Sequence, residues 1–203
     1  MLNLKARETL TSYWAPGKFP LHGEHLQISE HHLDGIIRVQ GVAESAAFRE
    51  AVAKAIGVQP PAVGQYVRTN QYEFAWVGPR EWILFVPLAK EYEYLAALNE
   101  AFAGTFATAA LMSDSRFALE ISGSSALAFL SKGTGLNTDP AEFPPSSATT
   151  TRFMGMPALL VHRESGSYRL YFDVSYAAYV SAWMLDASEE FLTRQRNQSD
   201  RVE

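Results

Sequence analysis

Four histidines, His22, His25, His31 and His32, fall within one short stretch that also holds Glu24 and Glu30. Imidazoles and carboxylates are ligands for zinc and related metals, and His22-x-x-His25 could set two of them on one edge. Adjacent His31 and His32 would point to opposite faces of a strand, and the chain contains no His-Glu-x-x-His motif. A polar loop that happens to be rich in histidine accounts for the same residues. Gly133-Thr134-Gly135 invites a dinucleotide reading, but that fingerprint needs a preceding strand, a third glycine and a following helix. Here Thr138 stands where the third glycine belongs, so the glycines are expected to end a helix. No phosphate-binding Walker loop and no Gly-x-Ser-x-Gly elbow occurs. The carboxylates Asp34, Glu73, Glu81, Asp114, Glu120, Asp139 and Asp173 could form an acid–base pair only if two were close in space with shifted pKa values. Spacing shows neither, and most are expected to be solvated.

Other chemistry is excluded by composition. The chain has no cysteine, which removes disulfides, thiolate metal sites and a cysteine nucleophile together. This suits a reducing, cytoplasmic setting. A net charge of −5 with no basic stripe disfavours nucleic acid, whose binding needs Lys and Arg to displace phosphate counterions. The N-terminus lacks the apolar region of a secretory signal, and no apolar run is long enough for a membrane helix. Among the aromatics, Trp14, Trp76, Trp82 and Trp183 are either core residues or interface anchors.

The elements that must position these residues appear twice. Residues 36–40 read as a strand, 44–56 as a helix ended by Gly57, 72–77 and 82–86 as a hairpin turning at Gly78-Pro79, and 91–102 as a second helix. Arg116–Ser122 then reads as a strand and 124–131 as a helix. Strands around 149–154, 157–163 and 168–174 follow, with a turn at residues 164–167 and a closing helix from Tyr176 to Phe191 capped by Ser175. The spacing predicts an α+β fold of duplicated split βαβ halves. Residues 1–35, including an extended loop from Trp14 to Pro20, are expected to be irregular. Residues 36–191 would form one pseudo-duplicated domain with halves of about 36–110 and 111–191, and 192–203 a flexible tail.

Residues 129–191 also carry a resemblance. Phe129-Leu130-Ser131-Lys132-Gly133, Leu136, Asp139-Pro140, Phe143-Pro144-Pro145, Thr151, Leu159-Leu160-Val161-His162-Arg163 and Val174-Ser175-Tyr176-Ala177-x-Tyr179-x-x-x-Trp183 resemble the gamma subunit of heterotetrameric sarcosine oxidase. The first half is similar in order, with Val39-x-Gly41, Ala47-Phe48 and Gly78-Pro79-x-Glu81-Trp82. Thr134-Gly135 stands where the family has Cys-Pro, and Asn137 where it has Asp. The resemblance implies the fold of the aminomethyltransferase folate-binding domain, to which Ser113-Asp114-Ser115-Arg116-x-x-Leu119-x-Ile121-Ser122-Gly123-x-x-Ala126 is similar. Those transferases carry Gly-Gly-x-x-x-Asp-Asp at a β-turn. The comparable Arg152–Leu159 hairpin has no carboxylate.

The resemblance implies an accessory, structural subunit without catalytic, cofactor-binding or metal-binding residues of its own. It would serve a complex that oxidatively demethylates sarcosine to glycine and formaldehyde or methylene-tetrahydrofolate. FAD, FMN, NAD and tetrahydrofolate are expected on partner subunits: a larger flavoprotein, a folate-fold subunit and a small zinc-binding subunit. Lys132, Gly133, Phe143, Pro144, Pro145 and Trp183 are the expected contacts with those partners. A subunit of a related N-methyl amino acid dehydrogenase, a stand-alone folate-binding aminomethyltransferase-like protein and a metal enzyme built on the N-terminal histidines are the alternatives.

Overall fold

The structure, a computed structural model, describes residue 10, residues 20–164 and residues 166–199, the side chains of 193–199 excepted. Trp14, most of the expected loop around it, Ser165 of the expected turn and the last four residues lie outside the described residues. The chain divides into two compact units, one formed by 1–32, 116–145 and 151–203, the other by 33–115 and 146–150.

The unit around residues 33–115 is built on β3 (Asp34–Gln40), α1 (Ala46–Ile56), β4 (Tyr66–Arg68), β5 (Glu73–Gly78), β6 (Glu81–Pro87), α2 (Glu91–Phe102) and β7 (Thr108–Leu111). Its sheet runs β4-β5-β6-β3-β7, with every neighbouring pair antiparallel. Ser45 caps α1 by accepting from the Phe48 N–H at 3.3 Å, and Gly57 ends the helix at φ 80°, a conformation that Cβ disfavours. Alternation along the strands sends Ile37, Val39, Trp82, Leu84 and Val86 into one core with Phe48, Val52, Leu98 and Phe102 from the helices. Trp82 also donates its indole N–H to the Pro61 carbonyl at 2.8 Å.

The other unit uses β1 (Leu21–His22), β2 (Gln27–Glu30), β8 (Arg116–Ser122), α3 (Ala126–Gly133), β9 (Ser147–Phe153), β10 (Met156–Glu164), β11 (Ser167–Asp173) and α4 (Ala177–Ser199). The sheet order is β1-β2-β8-β11-β10-β9. Strand β9 begins in the first unit, which holds residues 146–150, and ends in this one. Phe117, Leu119, Ile121, Phe129, Leu130, Phe153, Leu170, Phe172, Val180 and Met184 share its core.

The two units repeat one another along their paired central strands. Strand β3 pairs with β6 from Asp34↔Pro87 to Gln40↔Glu81, and β8 with β11 from Arg116↔Asp173 to Ser122↔Ser167. The register of β5 on β6 slips between Trp76 and Gly78. That of β10 on β11 slips between His162 and Glu164, the same distance from the turn. Strand β7 lies on Ile37–Gln40 as β2 lies on Leu119–Ser122. Just past these strands, Met112 N–H reaches Ile36 C=O at 2.7 Å and His31 N–H reaches Ala118 C=O at 2.9 Å. The duplication is therefore one of topology, register and bulge position.

Three sequence expectations change. Residues 1–35 are not irregular throughout, because β2 forms there by pairing with β8 and β1 by pairing with β2. The segment 192–199 continues α4, since no Pro or Gly stops the helix. Asp173, not Ser175, caps the 3-10 turn Val174–Tyr176 that leads into α4: its carboxylate accepts from the Ser175 N–H at 2.9 Å and the Ser175 hydroxyl at 2.6 Å. An ionised carboxylate is the stronger acceptor, and the same bonds hold the Asp173 carboxyl below its usual pKa.

Candidate functional site

Three basic side chains converge on Glu120 of β8. Glu120 faces away from the helices, and its Oε1 accepts from Arg169 Nη2 at 2.7 Å and Arg163 Nη1 at 3.0 Å, with His31 Nδ1 at 3.2 Å. Arg169 lies directly opposite Glu120 in the register, is only 2% exposed and donates to Tyr171 Oη at 2.9 Å. The hydrogen bond from His31 holds the Glu120 carboxyl well below the usual carboxylate range; burial opposes it, and Arg169 adds to it by hydrogen bond and by charge. A general acid or base needs a pKa near the working pH. Glu120 is driven the other way, so the cluster acts as a structural clamp on β2, β8, β10 and β11.

A second polar cluster fixes the loop after α3. His162 is fully buried, and its Nδ1–H donates to the Phe143 carbonyl at 2.6 Å. Its ring stacks on Tyr168 with centroids 4.4 Å apart, and Phe143 lies on it at 5.9 Å. His162 Nε2 and Tyr168 Oη have no hydrogen-bond partner. Burial, with Asp139 contributing, pushes the Tyr168 hydroxyl pKa up.

The loop itself turns on side chains. Asp139 accepts from Ala141 N–H at 2.8 Å, and Thr134 Oγ1 accepts from Leu136 N–H at 3.2 Å while meeting Thr151 Oγ1 at the same distance.

The six expected partner contacts are placed as follows. Phe143 is 6% exposed and part of the core, whereas Pro144 and Pro145 are exposed beside it. Gly133 closes α3 against Phe153, whose ring a Cβ would strike. Trp183 is half-buried, edge-on to Phe129 at 5.6 Å and Phe153 at 5.4 Å. Lys132 bridges α3 to α4 by donating to Ala187 C=O and pairing with Glu190, both at 2.8 Å.

The histidines divide into two sets: His31 and His32, expected to point apart, lie with their ring centroids 4.0 Å from each other, and His22 and His25 stand away from them. Among the described residues, His22 and His25 join no set of three potential metal ligands. His25 meets Ser124 Oγ at 3.1 Å, and His31 is committed to Glu120. Gly133-Thr134-Gly135 ends α3, with Thr134 N–H bonded back to Leu130 C=O at 3.2 Å. The β9–β10 turn runs through Met154 at φ 52° and Gly155 at φ 81°, where Arg152 donates to the Gly155 carbonyl at 2.9 Å. No Asp or Glu occurs between Arg152 and Leu159 at this turn.

The residues that sequence reasoning missed lie in the other unit. A cavity of about 450 Å³ opens between Gly41–Val42 and residues 105–108, with Gln40 and Arg80 on its sides. At its mouth Phe106 is 97% exposed. The available signal was one aromatic residue in Gly104-Thr105-Phe106-Ala107-Thr108, where the small polar neighbours offer nothing to cover it.

This architecture, a duplicated α+β unit with antiparallel sheets, is the fold of the aminomethyltransferase folate-binding domain. The glycine cleavage system aminomethyltransferase T of Bartonella henselae shares it at TM-score 0.61 and 14% identity, over 79% of this chain and 45% of that one. A heterotetrameric sarcosine oxidase from Corynebacterium sp. U-96, solved with pyrrole 2-carboxylate, matches at TM-score 0.77 and 26% identity, over 85% of this chain and 88% of that one. The model of the sarcosine oxidase gamma subunit family matches residues 40–190, and the chain belongs to that family. No curated protein sequence matches it.

Proposed function

We propose that the chain is a non-catalytic, accessory subunit of a multisubunit, flavin-dependent sarcosine oxidase. The complex would oxidise sarcosine to glycine with release of formaldehyde, or with capture of the one-carbon unit as methylene-tetrahydrofolate. FAD, FMN, NAD and tetrahydrofolate belong on the partner subunits: a larger flavoprotein, a folate-fold subunit and a small zinc-binding subunit. Family membership supports the assembly. The observation that carries the accessory role is the Glu120 cluster, where the best-placed carboxylate is tied by two arginines and a histidine into a structural clamp.

Pro144, Pro145 and the outer face of Lys132 supply contact surface in this reading, while Gly133, Phe143 and Trp183 hold that surface in shape from beneath. No helix among the described residues is long and apolar enough to cross a membrane, and a cytoplasmic location suits the cysteine-free chain. Binding to partners would stabilise the folded chain by mass action.

The reading is tested by titrating the purified chain with tetrahydrofolate and with sarcosine plus an electron acceptor. It predicts no heat of folate binding and no turnover until the flavin-bearing subunits are added. Turnover by the chain alone would overturn it.

A further inference from the structure

The internal duplication shows what is missing at one edge of the sheet. In the unit built on β8, the strand beside it, β2, is itself covered by β1, with Leu21 opposite Ile28 and His22 opposite Gln27. Leu21, Leu26 and Ile28 are all buried in that core. The β1–β2 turn closes through Gly23 N–H to Leu26 C=O at 2.9 Å and rests on Gly123, where a Cβ would strike the His25 carbonyl.

In the other unit β7 stands where β2 stands, but among the described residues it is the last strand of its sheet. Aligning Thr108 with Gln27, each opposite the last residue of its neighbour, sets Ala107 at the place of Leu26 and Ala109 at that of Ile28. Gly104 then matches Gly23, and Gly41 matches Gly123. Two alanines replace a leucine and an isoleucine, and among the described residues no strand stands outside β7 as β1 stands outside β2. Ala107, Ala109 and Leu111 are accordingly only partly buried against their core, and the cavity lies beside Ala107.

The backbone at this edge is available as well. Met112 N–H bonds inward to Ile36. Antiparallel alternation therefore turns Thr108 and Ala110 toward β3 and aims the N–H and C=O of Ala109 and Leu111 outward. In the companion unit the outward groups of Ile28 are the ones that meet Leu21. Arg80 lines the cavity, is exposed, and makes no ion pair among the described residues.

We propose that the β7 edge and the cavity beside it receive an extended segment of a partner subunit. That segment adds a strand opposite Ala109, sets a leucine-sized side chain where Leu21 sits in the duplicate, and carries a carboxylate to Arg80. Phe106 packs over the added strand. A second copy of this chain fits poorly: β7 is only the four residues Thr108–Leu111 and carries no carboxylate for Arg80. The proposal rests on the reading of the chain as a subunit of an oxidase complex.

The test co-expresses the full chain with its partner subunits and compares wild type with Ala107→Leu, which fills the cavity as Leu26 fills its counterpart, and Arg80→Glu. Partner affinity is measured alongside hydrogen exchange at the Ala109 amide. Each variant is expected to weaken partner binding about tenfold or more with an unchanged melting temperature. The Ala109 amide of the wild-type chain is expected to exchange freely alone and slowly in the complex.

Wild-type affinity in both variants, or an Ala109 amide that assembly does not protect, overturns the docked strand while leaving the subunit reading intact. A wild-type chain that binds no flavin-bearing subunit overturns that reading itself. Protection of Ala109 in a dimer of the chain alone replaces the partner strand with a second copy and overturns the proposal.

Discussion

At the scale of single residues, Glu120 makes the sharpest prediction. Its folded-state pKa is depressed, so its contribution is fully present above the ordinary glutamate value of about 4.3 and is lost as pH falls toward the folded value. Glu120→Gln leaves Arg163 and Arg169 without their shared carboxylate. Breaking a fully buried pair costs about 3–5 kcal/mol; with Glu120 36% exposed, solvent screening reduces the expected loss to roughly 1–3 kcal/mol. Urea titrations of both proteins should show that gap at pH 7 and a shrinking gap below about pH 4. An unchanged gap at low pH would refute the clamp.

His162 and Tyr168 predict opposite outcomes from neighbouring rings. His162→Ala removes a buried ring and the anchor of Phe143, at a cost of roughly 2–4 kcal/mol. Tyr168→Phe removes a buried hydroxyl that has no partner, so stability should stay within about 0.5 kcal/mol of wild type or rise. Thermal denaturation of the two variants checks both. Only half of this was legible in the sequence. His162 could be read on a strand, but its partner is a carbonyl in a proline-rich loop that looks exposed. Phe143 is buried because a distant strand supplies a ring for it.

At the scale of elements, legibility followed the strength of local periodicity. The alternation of Arg116–Ser122 placed β8 to the residue, and Gly57 fixed the end of α1, whose start at 44 was read two residues early. Gln27–Glu30 and Thr108–Leu111 have too few residues and too mixed a polarity to show a period. They are strands because β8 and β3 offer them hydrogen-bonding edges, which is a tertiary fact.

The cap of the turn leading into α4 was misassigned by two residues, since Asp173 and Ser175 are both acceptable capping types and geometry chooses between them. Asp173→Ala should lower stability by about 0.5–1 kcal/mol, measured by denaturant midpoint, and Ser175→Ala by less. Leu26→Ala would recreate in one unit the opening found at Ala107 in the other, costing roughly 2–4 kcal/mol. An Ala that costs nothing there would break the correspondence drawn between the two edges.

At the scale of the whole molecule, a repeated unit has kept its register and bulges. The clamp at Glu120, the ring stack at His162 and the turn at Met154-Gly155 each tie chain to chain within one unit. The features left open are surfaces: the exposed prolines at 144 and 145, and the β7 edge with Phe106. The most direct measurement is native purification of the tagged full-length chain from its own host at endogenous level, followed by absorbance spectroscopy and mass analysis of what accompanies it. The account predicts a yellow, flavin-containing complex in stoichiometric amount that oxidises sarcosine. A colourless, monodisperse monomer, or a lone chain that turns over an amine, would contradict it.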